Sequence, residues 1–121
     1  MTKKILTIDD EVFIRDLVQD FLELEGFFCK TAANLKEALL LLKKENYDLI
    51  LLDRNLEDER AEDVIQNLRS INNEISIIIM TGDMDVPDNI ISEFNISAII
   101  NKPFQYDAFI EVIKKKPMME I

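Results

Sequence analysis

Four short apolar runs of the chain each end at a residue suited to phosphoryl or metal chemistry. The pair Asp9 and Asp10 follows the first run, Asp53 follows the second, Thr81 closes the third and Lys102 comes just after the fourth. If the runs are parallel strands of one sheet, all four sites lie at the same edge. Three carboxylates, a hydroxyl and an ammonium together suit a divalent cation and a phosphoryl group.

Short apolar runs alternate with segments of helical periodicity along the chain. The pattern predicts strands over residues 4–8, 27–32, 48–52, 75–80 and 96–100 and helices over residues 11–25, 35–45, 60–71, 87–94 and 105–116. Three residues support these bounds. Gly26 can end the first helix in a left-handed conformation, Asn34 can cap the second, and Pro87 suits the first position of the fourth.

The last three predicted strands are almost continuously apolar. This composition is typical of parallel strands that helices cover on both faces. Right-handed crossovers then give an open, doubly wound α/β sheet, and ligands of such sheets bind beyond the carboxyl ends of the strands. The predicted fold therefore places the functional site at the edge where the polar residues lie.

The balance of 24 acidic against 14 basic residues gives the 121-residue chain a formal charge of −10. A negative surface disfavours nucleic acid and anionic membranes as partners, since both would repel it. Cys29 is the single cysteine, so no internal disulfide can form and a reducing cytoplasm fits. No apolar run forms a signal-peptide core or approaches the roughly 20 residues of a membrane span. We expect one cytoplasmic domain over residues 1–121.

Four motifs carry a family resemblance: ILTIDDE at residues 5–11, LLD at 51–53, MTG at 80–82 and NKPF at 101–104. In this order they resemble a response-regulator receiver domain over essentially the whole chain. The resemblance implies a flavodoxin-like fold, with a five-stranded parallel sheet in the strand order 2-1-3-4-5 and five helices. It also implies a stand-alone phosphoaccepting protein of a two-component phosphorelay, which catalyses only its own phosphorylation and dephosphorylation.

The resemblance assigns three residues to phosphoryl transfer. Asp53 would accept the phosphoryl group from the phosphohistidine of a histidine kinase or of a phosphotransfer protein. Lys102 would pair with Asp53 in the resting state and then neutralise a phosphoryl oxygen, while the Thr81 hydroxyl would bind another and report phosphorylation by its movement. The peptide bond between Lys102 and Pro103 is expected to be cis, as is common in this family.

The resemblance also implies a Mg²⁺ site. Asp9, Asp10 and Asp53 would hold the ion together with the backbone carbonyl of Asn55, with Asp10 as a direct ligand and Asp9 acting largely through water. Mg²⁺ prefers hard oxygen ligands and keeps several waters, so few carboxylates suffice. Glu11, the next acid, is expected to favour the first helical turn electrostatically rather than to bind the metal.

Two segments depart from the family pattern. After Asp53, receivers often have a Pro-Gly turn, whereas this chain has the charged sequence EDER at residues 57–60. That segment could be a solvated loop that caps the next helix, or it could tune the site. Ile99 stands where receivers usually have Tyr or Phe, and its short, stiff side chain cannot make the inward swing of a ring. We therefore expect a muted switch whose output face comprises residues 87–94, 96–100 and 105–116.

Two other function classes remain as alternatives. A pseudo-receiver would be a protein-binding module without phosphorylation, but it predicts the loss of a site residue, and none is lost. An aspartate-nucleophile phosphatase of the haloacid-dehalogenase kind needs an acid two residues after the nucleophile, where this chain has Asn55. The sequence contains no output domain, so as a stand-alone receiver it would pass the signal to an unknown downstream protein through contact or onward phosphotransfer. The sequence is equally compatible with a piece of a longer regulator.

Overall fold

The computed structural model describes residues 3–82 and 88–115, with the side chains of residues 88 and 89 excepted. Five strands alternate with five helices over these residues. The strands are β1 (Lys4–Ile8), β2 (Phe28–Ala32), β3 (Leu49–Asp53), β4 (Ser76–Thr81) and β5 (Ala98–Asn101). The helices are α1 (Val12–Leu24), α2 (Leu35–Lys44), α3 (Ala61–Ile71), α4 (Asp88–Glu93) and α5 (Tyr106–Lys115). No helix of the described residues is both long and apolar enough to cross a membrane.

The five strands form one parallel sheet in the order β2-β1-β3-β4-β5. This order, with helices on both faces, confirms the predicted flavodoxin-like fold. Alternate residues of the strands face opposite sides, so the sheet divides the core into two clusters. One cluster packs α2, α3 and α4 against the sheet, chiefly through Ala38, Val64, Ile65, Leu68 and Ile90. The other packs α1 and α5, chiefly through Val18, Leu22, Phe109, Ile110 and Ile113.

The helix ends follow the sequence signals where the structure describes them. Gly26 has φ +86°, and its N–H donates to the carbonyl oxygen of Glu23 at 3.0 Å, which ends α1 as predicted. The Asn34 side chain accepts the N–H of Glu37 at 2.9 Å and so caps α2. The prediction for Pro87 lies outside the described residues.

Strand β5 is shorter than predicted at its start. The N–H of Ile96 donates to the carbonyl oxygen of Ile91 at 3.0 Å, because the chain leaves α4 through Asn95, which has φ +55°. Ile96 therefore belongs to the turn that follows α4, although its side chain is buried in the core. Strand pairing begins at Ala98, opposite Ile78 of β4.

Aromatic side chains join α1 to α5 and to the loop that precedes α5. Phe104 stacks on Phe109 with ring centroids 4.8 Å apart, and Phe21 meets Tyr106 edge-on at 5.0 Å. Glu25, at the end of α1, accepts a hydrogen bond from the Tyr106 hydroxyl and forms an ion pair of 2.6 Å with Lys114. Aromatic contacts and an ion pair thus hold together α1 and α5, which are far apart in sequence.

Candidate functional site

The sheet register brings the predicted site residues to one edge. Ile8 of β1 lies opposite Leu52 of β3, so Asp9 and Asp53 leave adjacent strands side by side. Thr81, the last residue of β4, pairs with Asn101 of β5, directly before Lys102. The N–H of Lys102 donates to the Thr81 carbonyl oxygen at 2.7 Å, which extends the pairing by one residue. Parallel topology alone therefore assembles residues that lie up to 93 positions apart.

Asp9 is a fully buried carboxylate with a complete set of local partners. Its Oδ1 accepts the N–H of Glu11 at 2.9 Å, and its backbone carbonyl accepts a hydrogen bond of 2.8 Å from Arg15. Its own N–H donates to Ala32 of β2 at 3.0 Å. These bonds fix the side chain at the start of α1, because a buried charge needs hydrogen bonds or a counter-charge to be tolerated.

The ammonium of Lys102 lies among three carboxylates. Its Nζ is 2.8 Å from Asp9 Oδ2, 3.4 Å from Asp53 Oδ1 and 3.6 Å from Glu11 Oε1. The expected resting pair with Asp53 is therefore present, but the shorter contact is with Asp9. Burial by itself would lower the pKa of Lys102, but the hydrogen bond that its ammonium donates to Asp9 and the charges of both aspartates outweigh it and raise that pKa. The lysine remains a cation in this site.

Asp53 is 3% exposed at the end of β3. Burial raises the pKa of its carboxyl above the ordinary range, and the charge of Asp9 raises it further. The N–H of Asn55, 3.1 Å from Asp53 Oδ1, and the ammonium of Lys102 lower that pKa without cancelling the effect of burial. The ionised carboxylate is thus poorly solvated, and a further cation beside it would be stabilising.

Four acids at this edge are close enough to share one metal ion. One carboxylate oxygen from each of Asp9, Asp10, Glu11 and Asp53 lies within 4.8 Å of the others. Such an all-oxygen set suits a hard divalent cation. Asp10 Oδ2 accepts the N–H of Glu57 at 2.9 Å, which links the acidic cluster to the loop after β3. Two of these four acids, Asp9 and Asp53, are buried.

The remaining predicted site residues occupy consistent positions. Asn55 is exposed two residues beyond Asp53, and the ligand role of its carbonyl stays a prediction. Thr81 is fully buried at the end of β4. The bond between Lys102 and Pro103 is cis, as predicted.

The sequence profile described as the response regulator receiver domain matches residues 5–114. The chain belongs to the response regulator receiver family. Sporulation initiation phosphotransferase F of Bacillus subtilis (strain 168) is 32% identical over 117 residues, which make up 95% of this receiver and 94% of that protein. Other curated relatives are longer, and the receiver spans 42% to 43% of their length.

Solved structures give the same family and fold. The response regulator TrrA from Thermotoga maritima, in complex with Mg²⁺-BeF, is 32% identical with a TM-score of 0.82, and the match covers 94% of this receiver and 98% of that chain. The chemotaxis protein CheY4 of Vibrio cholerae has a TM-score of 0.87 at 24% identity, covering 95% of this receiver and 98% of that chain. The second likeness concerns the fold alone.

Sequence reasoning missed the contacts of Glu11 in this receiver. The sequence predicts Glu11 in the first turn of α1, whereas the structure places it one residue earlier, at the N-cap, without a side-chain hydrogen bond. Its carboxylate nevertheless lies 3.6 Å from the Lys102 ammonium and belongs to the acidic cluster. Its position directly after Asp10 could have indicated these contacts, because Glu11 lies only three residues beyond the end of β1.

Proposed function

We propose that this receiver accepts a phosphoryl group on Asp53 from the phosphohistidine of a histidine kinase or phosphotransfer protein, with Mg²⁺ bound, and signals by a conformational change. One observation carries the proposal: the buried Asp53 carboxylate belongs to the acidic cluster and lies 3.4 Å from the Lys102 ammonium. A lone nucleophilic carboxylate flanked by a cation site and a fixed ammonium is suited to phosphoryl transfer, which depends on positioning and charge neutralisation.

The transfer forms one bond and breaks another. An oxygen of Asp53 attacks phosphorus in line, and the phosphorus–nitrogen bond to the donor histidine breaks, with its electron pair returning to the imidazole ring. The product is an acyl phosphate on Asp53. Lys102 stabilises the charge on a phosphoryl oxygen, and the Thr81 hydroxyl binds another. Water later hydrolyses the acyl phosphate and restores the carboxylate.

Mg²⁺ would be held by Asp9, Asp10 and Asp53 with the carbonyl of Asn55, and when bound it neutralises charge on the phosphoryl oxygens. The close approach of the four carboxylates supports this, because the single positive charge of Lys102 offsets only part of their mutual repulsion. The relative TrrA, solved in complex with Mg²⁺-BeF at 32% identity, supports it as well. The carboxylates of Asp9 and Asp10 would thereby hold and orient the Mg²⁺ ion and offset its charge, and they would not react themselves.

The donor protein would dock beside the acid pair. Val12 and Phe13, the first residues of α1 after the acidic stretch, are 60% and 70% exposed. Large apolar side chains at such exposure are suited to contact with a partner. Their position next to Asp10 would place a donor histidine over the sheet edge. This observation supports a protein donor in addition to small phosphodonors.

The test is an intact-mass measurement after incubation with a small phosphodonor such as acetyl phosphate. The receiver should gain one phosphoryl group with Mg²⁺ present and none when the metal is chelated. Asp53→Asn should abolish the gain, whereas Asp58→Asn, an equal change in the adjacent loop, should retain it. A receiver that binds Mg²⁺ but gains no mass from acetyl phosphate or from a phosphorylated histidine kinase would instead be a pseudo-receiver.

A further inference from the structure

The loop between β3 and α3, residues 54–60, is attached to two other loops of the same sheet edge. The N–H of Glu57 donates to Asp10 Oδ2 at 2.9 Å, which ties it to the loop before α1. The Glu59 carboxylate accepts the N–H of Leu35 at 3.2 Å, which ties it to the start of α2. The acidic loop therefore does not cap the next helix: Arg60 stands at the N-cap of α3 with no side-chain cap bond.

Glu59 supplies an acceptor that α2 needs. The first N–H groups of a helix have no partner within it, and Leu35 is the first residue of α2. The Asn34 side chain is already occupied by the N–H of Glu37. A carboxylate at this position also interacts favourably with the helix dipole. The hydrogen bond therefore attaches Glu59 to α2, and its charge adds only a weaker attraction to the helix dipole.

The conformation between Leu56 and Glu59 is fixed from both sides. Leu56 is 6% exposed and packs in the core with α3, while the N–H of Glu59 donates to the Leu56 carbonyl oxygen at 3.3 Å. Asp58 between them has φ +64°, the left-handed conformation that a glycine usually takes. Since Glu57 lies inside this turn, the direction of its N–H depends on the two anchors, Leu56 and Glu59.

We propose that Glu59 is a positioning residue for Asp10, in place of the Pro-Gly turn that receivers often have. Its bond to Leu35 holds the turn, the turn aims the N–H of Glu57, and that N–H sets the orientation of the Asp10 carboxylate. Groups that orient a metal ligand commonly control affinity although they never touch the metal. The inference rests on the proposed function, because it takes Asp10 as a Mg²⁺ ligand.

The test compares Mg²⁺ affinity, by calorimetric titration of the metal alone, among variants of the full chain. Glu59→Ala should weaken the affinity about tenfold, the lower end of what loss of an orienting partner costs. Glu59→Gln keeps an oxygen that accepts the Leu35 N–H and should stay within about twofold of the parent, since bonding geometry rather than charge carries the effect. Glu57→Ala removes a charge from the same loop but keeps the N–H, so it should also stay within about twofold.

Amide hydrogen exchange without metal provides a second readout. In Glu59→Ala the amides of Leu35 and Glu57 should exchange faster, while in Glu57→Ala the amide at position 57 should stay protected. Mg²⁺ affinity that is unchanged in Glu59→Ala would overturn the role of Glu59 and leave the proposed function standing. If the Mg²⁺ affinity falls equally in Glu59→Ala, Glu59→Gln and Glu57→Ala, the cause is the lost charge and the positioning role is wrong. Absence of Mg²⁺ binding by the parent chain would overturn the proposed metal site itself.

Discussion

The ammonium nitrogen of Lys102 lies 2.8 Å from Oδ2 of Asp9, closer than to the proposed phosphoacceptor. Asp9 is fully buried and 13% of the Lys102 side chain is exposed, so this ion pair is largely shielded from water. The lysine therefore compensates a buried charge of the fold as well as facing Asp53. Its two tasks are separable by experiment, because one concerns stability and the other phosphoryl transfer.

Replacement of Lys102 should destabilise the receiver. Lys102→Met leaves two buried carboxylates without their ammonium, and the free energy of unfolding at pH 7 should fall by about 3 kcal/mol. Added Mg²⁺ should restore more stability to this variant than to the parent, since the cation binds only the folded site. Urea titrations with and without Mg²⁺ measure both effects.

The matched control is Lys115→Met. Lys115 forms an exposed i,i+4 pair with Glu111 at 2.9 Å, and loss of such a pair costs about 0.5 kcal/mol or less. Equal losses for the two variants would mean that the contact between Lys102 and Asp9 adds no more stability than a surface pair.

Phe13→Ala should slow phosphorylation by a protein donor alone. Its ring is 70% exposed beside the acidic cluster, so truncation removes a docking contact without opening the core. We expect the rate with a phosphorylated histidine kinase to fall about tenfold, the equivalent of about 1.4 kcal/mol of docking energy. The rate with acetyl phosphate should be unchanged. Leu40→Ala, at a residue that is 54% exposed on α2, is the control, and an equal loss there would argue against docking at α1.

Thr81→Ala should uncouple phosphorylation from the structural response. Phosphorylation biases two states only through contacts that differ between them, and the Thr81 hydroxyl is proposed to make one of them. Ile99→Ala should keep the response, while the free energy of unfolding falls by about 1 to 2 kcal/mol, less than for a fully buried isoleucine because Ile99 is half-buried.

Backbone amide chemical shifts with and without beryllium fluoride, a phosphoryl mimic, compare the two variants. The chemical-shift changes that beryllium fluoride causes in β5 and α5 should be lost in Thr81→Ala and retained in Ile99→Ala. The reverse pattern would make Ile99 the residue that transmits the signal.

The stability that Glu25 contributes should disappear in acid. The hydrogen bond from Lys114, and then that from Tyr106, hold the pKa of Glu25 below its ordinary value. A carboxyl whose pKa is lowered by folding stabilises the fold above its unfolded pKa, near 4.3, and loses this contribution as the pH falls through the folded pKa. Unfolding curves of the parent and Glu25→Gln should therefore differ at pH 7 and converge once the pH falls below the lowered pKa of folded Glu25. Glu23→Gln, on the same helix, should show a smaller difference at pH 7.

The sequence predicts the strands to within about two residues because their apolar runs are continuous. It misses the start of β5, since a buried apolar side chain also occurs at Ile96, in the turn that follows α4. It also misses the last residue of β3, because Asp53 keeps its pairing with Met80 although it is polar. Hydrophobicity reports burial, and burial alone does not separate a strand from its flanking turn.

The site is predicted as a set of residues but not as a set of contacts. Motifs place Lys102 among the acids, whereas its preference for Asp9 depends on side-chain geometry between segments 93 residues apart. The hydrogen bond that Leu35 donates to Glu59 cannot be predicted for the same reason, because it joins segments separated by 24 residues. Local patterns carry no information on such distances.

The stacked rings that join α5 to the loop before it restrict how this receiver can diverge. Phe104 comes two residues after Lys102 and stacks on Phe109 of α5, so a substitution that re-tilts α5 also displaces the lysine. Under the proposed function, a change of downstream partner on α5 and a change in the lifetime of the acyl phosphate would therefore be mechanically linked. Lineages that acquire a new target through this helix must then retune their phosphorylation chemistry in the same step, or acquire the target on another face.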